Sequence, residues 1–225
     1  MATSGSTDFT LNAGKVVTYA LRKIGVVAAD EEPNSLDMQA GIEELNLMLK
    51  SWQMSGPHLW RQTQGSLALT ADTASYAMSS VLRVTSARFR QNSRDLPMEV
   101  MTREEYFDLP MKTTQGIPTQ YYFDTQRAAG SCTLYIWPVL ASVSTETVEY
   151  TYQRRLEDID AKTNDLDIPQ EHLQTVGYNL AALLADTFQI ADAVANRILQ
   201  RAEMLKSESA AHDREPVIRF EPMRR

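Results

Sequence analysis

Three histidines, His58, His172 and His212, are the side chains best suited to proton transfer or metal binding, but they lie far apart in the chain. Zinc sites draw on closely spaced pairs such as HxxxH or Cys-x-x-Cys, and neither occurs here, so the sequence predicts no metal site. Cys132 is the sole cysteine; it cannot form an internal disulfide, and a reducing compartment suits it. Carboxylates pair at Glu43-Glu44, at Glu104-Glu105 and at Asp165 with Asp167. Acid–base hydrolysis needs two carboxyls whose surroundings push their pKa values apart across a cleft. Neighbouring acids on an amphipathic helix form a solvated face instead, which is the reading for Glu43-Glu44. Glu104-Glu105 fits a first-turn cap, and Asp165 with Asp167 precedes a helix whose positive end they favour. The nine glycines spell no GxxxxGK[ST], GxGxxG or GxSxG, so no phosphate cradle, nucleophile elbow or cofactor is expected.

Binding chemistry is better represented. Arg83, Arg88, Arg90 and Arg94, followed by Arg103, form a basic stretch that offers contacts to DNA in a lumen or to an acidic partner. The plainer reading is the polar faces and turns of strands, because no aromatics interleave for base stacking. The net charge of −7 argues against a dedicated nucleic-acid binder. Tyr121, Tyr122, Phe123, Tyr135, Trp137, Tyr150 and Tyr152 recur at a period of two and predict cross-strand packing. Val217, Ile218, Phe220 and Met223, with Arg219, Arg224 and Arg225, form a terminal segment punctuated by Pro216 and Pro222. It reads as a loose tail or as a docking arm that orders on a partner.

The elements that must position these groups are legible as periodicities. Val16, Val17, Ala20, Leu21 and Ile24 predict a helix over 13–24, closed by Gly25. Met38, Ile42, Leu45, Leu49 and Trp52 predict a second over 36–54, stopped by Gly56-Pro57. From about residue 58 to 160 the period becomes two, with strands expected over 66–69, 75–78, 82–89, 98–101, 120–123, 133–137 and 147–153. A short helix over 102–109 carries Thr102 and Glu105 at capping-box spacing. Pro169 opens a third long helix with Leu173, Val176, Leu180, Leu183, Leu184 and Phe188 inward. A fourth, over 191–209, has the narrower stripe Val194, Ile198, Ala202 and Leu205.

The expected class is α+β: an antiparallel-leaning helical bundle from the N- and C-terminal helices, a β-rich insertion, and an extended C-terminal arm. The expected divisions are 1–57, 58–160, 161–212 and 213–225. Ile42, Leu45, Leu49 and Trp52 are expected to meet Leu180, Leu183 and Leu184 in the bundle core. At 225 residues, 43% hydrophobic and 23% charged, the chain has the composition of a soluble globular protein. The first ten residues carry no secretory pattern, and no apolar run reaches the ~20 residues that span a bilayer, so no membrane association is expected.

The order of segments resembles a known family. Ala20-Leu-Arg-Lys-Ile-Gly-Val26 and Ala40-Gly-Ile-Glu-Glu-Leu-Asn-Leu-Met-Leu-Lys-Ser-Trp52 look like the opening of the head-to-tail adaptors of short-tailed phages, the tail accessory factors that stabilise packaged DNA. Tyr76 before Val81-Leu82-Arg83, then Met101-Thr-Arg-Glu-Glu-Tyr106, Gly116-Ile-Pro-Thr-Gln-Tyr-Tyr-Phe-Asp124 and Leu134-Tyr-Ile-Trp-Pro138, continue the likeness. Leu166-Asp-Ile-Pro169 and Tyr178-Asn-Leu-Ala-Ala-Leu-Leu-Ala-Asp186 complete it, so that it covers about 13–206. The resemblance implies a ring of subunits, twelve to match the portal protein, in the virion neck between head and tail. Its implied partners are the portal, neighbouring adaptor subunits, a tail tube or nozzle protein, tail fibres or spikes, and packaged double-stranded DNA. It carries over no catalytic residues. Two other classes compete: a virion-associated cell-wall hydrolase using Glu104 and Asp167, and a DNA-binding regulator.

Overall fold

The computed structural model describes residues 5–7, 9–54, 59–125, 131–142 and 145–212. The chain divides into two compact units, Met1–Leu59 with Leu156–Arg225, and Trp60–Arg155.

The first unit is helical. Helix α1, Ala13–Ile24, begins where the Asn12 side chain accepts the Lys15 N–H at 2.9 Å. It ends at Gly25, whose φ of 79° lies in the left-handed region that glycine enters without steric cost. Val16, Val17, Ala20, Leu21 and Ile24 are all buried. Helix α2, Ser35–Trp52, is capped by Asn34, which accepts from the N–H groups of Leu36 and Asp37. The two helices approach through Gly41, where a Cβ would lie 2.3 Å from Val17 Cγ1, closer than any real contact. The acidic connection after Leu156 is tied back onto both. The Asn46 amide donates to Ile159 O and accepts from Ile159 N–H. Lys50 reaches Leu156 O and Asp158, while the N–H groups of Ala13 and Gly14 donate to Asn164 O and Lys162 O.

Two further helices of this unit lie in the C-terminal part, α4 at Leu173–Thr187 and α5 at Asp192–His212; α3 belongs to the sheet unit below. Helix α4 packs against α1, α2 and α5. Tyr19 and Tyr178 meet edge to face at 6.0 Å beneath the Lys23 ammonium. Burial, and then the neighbouring Tyr178, push the Tyr19 hydroxyl up to about 12. Of the expected bundle core, Leu45, Leu49, Leu180 and Leu184 are buried, and Ile42 and Trp52 are half-buried. Leu183 departs from the expectation: it is 40% exposed, on the outer side of α4.

The second unit holds β1 (Gln62–Ala68), β2 (Ser75–Ser79), β3 (Val81–Gln91), β4 (Arg94–Val100), α3 (Arg103–Asp108), β5 (Gln120–Asp124), β6 (Ser131–Trp137) and β7 (Thr147–Arg154). Its strands form one seven-stranded sheet in the order β1-β7-β3-β4-β5-β6-β2, antiparallel except between β4 and β5. β3 and β4 form a hairpin through Asn92 and Ser93, both at positive φ, the backbone that a two-residue primed turn requires. β1 and β2 are consecutive in sequence yet sit at opposite edges. The link between them reaches roughly 25 Å fully extended, whereas seven flat strands span about 29 Å. The sheet must therefore curl, and it does. Tyr76 tightens the link further, because its hydroxyl accepts the Thr70 N–H at 3.0 Å.

Inside the curl lies a separate core. Val81, Val84, Ala87 and Phe89 from β3 meet Val148 from β7 and Leu134 and Ile136 from β6. A satellite of Met101, Tyr106 and Tyr122 seats α3, with Leu109 and Tyr135 packed against it.

These findings correct the expected architecture. The fold is mixed α+β, among the described residues a curled seven-stranded sheet together with five helices, and not a helical bundle that carries a β insertion. Only the α+β class agrees. The sheet has its own core and its own helix, so it is a body in its own right. Periodicity reveals which face of each strand is buried but not that seven strands share one sheet.

Candidate interaction surface

The basic stretch singled out in the sequence lies on β3 and its hairpin with β4. Alternation turns Ala87 and Phe89 inward, the bulge between Val84 and Ser86 keeps Val84 inward as well, and Arg88 is half-buried while Arg83 and Arg90 are exposed. Arg94, beyond the turn, is exposed. The two-residue turn sets Arg90 opposite Asp95, and the two form a bidentate pair at 2.6 and 2.8 Å. Arg88 also stands 3.8 Å from Asp95. Across the next ladder Glu149 sits 3.8 Å from Arg90 and accepts hydrogen bonds from Ser66 and Thr147.

A polar row thus runs over β4, β3, β7 and β1. Sequence reasoning named its arginines but missed Asp95 and Glu149. A two-residue turn fixes register, so the Arg90–Asp95 pair had a local signal. Glu149 had none, because its place depends on long-range pairing.

The Arg90 hydrogen bond holds the Asp95 carboxyl below its ordinary value, and the Ser66 hydrogen bond comes first in doing the same for Glu149. A carboxylate with a depressed folded pKa adds stability above its unfolded value of about 4. That stability is lost as pH falls through the lowered folded value. Asp95→Asn should therefore lower the melting temperature near neutral pH, and the gap from wild type should close below about pH 4. Melting curves from pH 7 to pH 2 with a constant gap would refute this account.

The carboxylates weighed for hydrolysis have structural roles or belong to different units. Thr102 and Glu105 form a complete capping box for α3, and the Thr102 N–H bond draws the Glu105 carboxyl below its usual range. Glu104 is exposed beside it in the sheet unit, whereas Asp167 belongs to the helical unit and accepts the Glu157 N–H at 3.4 Å. Among the described residues no group of three or more His, Cys, Asp and Glu could hold a metal ion. His172 contacts Ser209 of α5 through Nδ1, and Cys132 is buried with its thiol toward Val81 O. Among the described residues no helix is long and apolar enough to cross a membrane.

What the surface does offer is apolar. Phe107 on α3, and Val100, Met111 and Ile117 in the segments before and after it in the chain, are each at least half exposed. Leu36, Leu47 and Met54 are exposed along and just beyond α2, as are Leu199 and Met204 on α5. A groove of about 1220 Å³ within the helical unit, lined by Leu11, Met38, Ile42 and Ile159 with Lys15 and Glu43, adds a concave surface. Such exposure suits a protein that is covered in an assembly. The expected arm of Val217, Ile218, Arg219, Phe220, Met223, Arg224 and Arg225, the Gly56-Pro57 stop and His58 lie outside the described residues.

The sequence profile of the SU10 adaptor protein family matches residues 11–219, nearly the whole chain. The chain belongs to that family. It is a phage adaptor, of the head-to-tail class that the segment order resembled. No curated protein matches the chain in sequence.

Proposed function

We propose that this adaptor is a structural subunit of a ring in the virion neck, twelve copies beneath the portal, that joins head to tail. The ring helps to retain packaged DNA and gives a channel for its ejection. Its neighbours are the portal protein, further adaptor subunits and a tail tube or nozzle protein, with fibres or spikes on its outer surface. Assembly takes place in the host bacterial cytoplasm, and the protein is not an enzyme. The family match across 11–219 is the observation that carries this reading. Arg88 and Arg90 face Asp95 and, at Arg90, Glu149 as well, two negative charges against two positive, so contacts to DNA in the lumen fall to Arg83 and Arg94.

The arm from Arg214 to Arg225 docks on the portal. Val217, Ile218, Phe220 and Met223 would each gain about 1.5–3 kcal/mol on full burial, before ordering costs. Pro216 and Pro222 reduce the entropy lost when it orders. The net charge of −7 keeps free subunits apart, so the protein is monomeric at micromolar concentration and forms a ring when portal is present. Electron microscopy of the protein mixed with a candidate portal ring tests this. Deleting the residues after His212 should weaken attachment and leave the remainder folded. Undiminished attachment of the truncated chain would refute the arm, and an absence of rings on every portal tried would refute the ring.

A further inference from the structure

Several stretches of strand edge in the sheet unit have no strand beside them among the described residues, on β3, β4 and β5 within the sheet and on β1 and β2 at its two ends. β4 pairs with β5 only at Glu99 and Val100, so its flank along 94–98 is open on that side. That flank carries Arg94, Asp95 and Pro97, the charges and proline with which proteins guard an edge against unwanted pairing. The outer edges of β1 and β2 are open as well, since these strands terminate the sheet. Neither β1, Gln-Thr-Gln-Gly-Ser-Leu-Ala, nor β2, Ser-Tyr-Ala-Met-Ser, contains a charge or a proline.

The hydrogen-bond parity shows what these edges present. Leu69 N–H donates to Glu146 O, in register with Ala68 opposite Thr147. Backbone direction alternates along a strand, so the N–H and C=O of Gln64, Ser66 and Ala68 point away from β7. Ile136 N–H donates to Ala74 O, in register with Ser75 opposite Tyr135. By the same alternation Ser75, Ala77 and Ser79 point away from β6. All six have exposed, uncharged side chains, and five of them are Ser or Ala. Both edges are thus bare rows of donors and acceptors that another strand can approach closely.

We propose that they are reserved for each other in different copies, with β1 of one adaptor pairing with β2 of the next. This rests on the reading of the chain as a ring-forming adaptor. A contact between unlike surfaces repeats head to tail and closes into a ring, whereas β1 on β1 stops at a dimer. Charge favours the same surface. The helical unit holds 20 Asp and Glu against 12 Lys and Arg, the sheet unit 9 against 10. Copies repel through the first and meet least opposition at the second.

Purified full-length chain, without portal, supplies the test by sedimentation at increasing concentration. Gln64→Pro and Ala77→Pro each remove one outward donor and leave the inner ladders intact, and each should weaken self-association about tenfold. A charge exchange on the same exposed positions keeps the test independent of proline strain. Gln64→Lys with Ala77→Lys should weaken association about tenfold or more, and Gln64→Lys with Ala77→Glu should restore it. Equal behaviour of the two charge variants overturns the proposal. So does a wild type that stays monomeric even far above the micromolar range in which charge repulsion keeps free subunits apart, which would assign the edges to a different protein. Rings of charge-repelled variants that form on portal as readily as wild type would overturn edge pairing alone. Edge-dependent association without rings on portal would overturn the ring reading alone.

Discussion

Phe89→Ala should remove about 3–5 kcal/mol from the stability of the sheet unit. Phe89 is fully buried near the end of β3, opposite Val148 of β7, itself fully buried, on one side and Leu96 of β4 on the other. Its ring joins the core built by β3, β6 and β7, so truncation opens a cavity where three strands meet. A domain is stable by only about 5–15 kcal/mol, so this loss is a large part of the total. The Tyr76, Tyr121 and Tyr150 side chains in and against the same core give a near-ultraviolet signal for the loss of packing. Leu96→Ala is the control on the facing strand, since Leu96 is 39% exposed and should change stability far less. Urea unfolding that placed Phe89→Ala within about 1 kcal/mol of wild type would mean that the sheet does not close over a common core.

Leu180→Ala and Leu183→Ala should behave as opposites although they lie three residues apart on α4. Leu180 is fully buried and should cost about 2–5 kcal/mol on truncation. Leu183 is 40% exposed and should change stability by no more than about 0.5 kcal/mol, since surface substitutions rarely do more. Both changes place Ala in a helix, where it is the most favourable residue, so propensity does not separate them. Burial alone does. Thermal unfolding of the two variants side by side checks this, and equal losses would put Leu183 in the core where the sequence pattern had set it. With monomer stability spared, Leu183→Ala also becomes a clean probe of α4 as a contact surface in the assembled neck.

Much of this protein's local structure is legible in its sequence because the forces involved act over a few residues. Helix α1 follows from apolar residues at three- and four-residue steps, with Gly25 at its end. The α3 cap follows from Thr102 and Glu105. The adaptor identity was legible too, carried by the order of many short segments along the chain. Tertiary structure alone decided the rest. The β1 and β2 edges lie far apart in the sheet although six residues separate them in the chain, because pairing with β7 and β6 outweighs sequence proximity. Glu149 meets Arg90 through that same long-range register. Leu183 faces outward because the packing of α1, α2 and α5 sets which part of a broad apolar stripe on α4 is covered, and a helical period cannot specify where its neighbours stand.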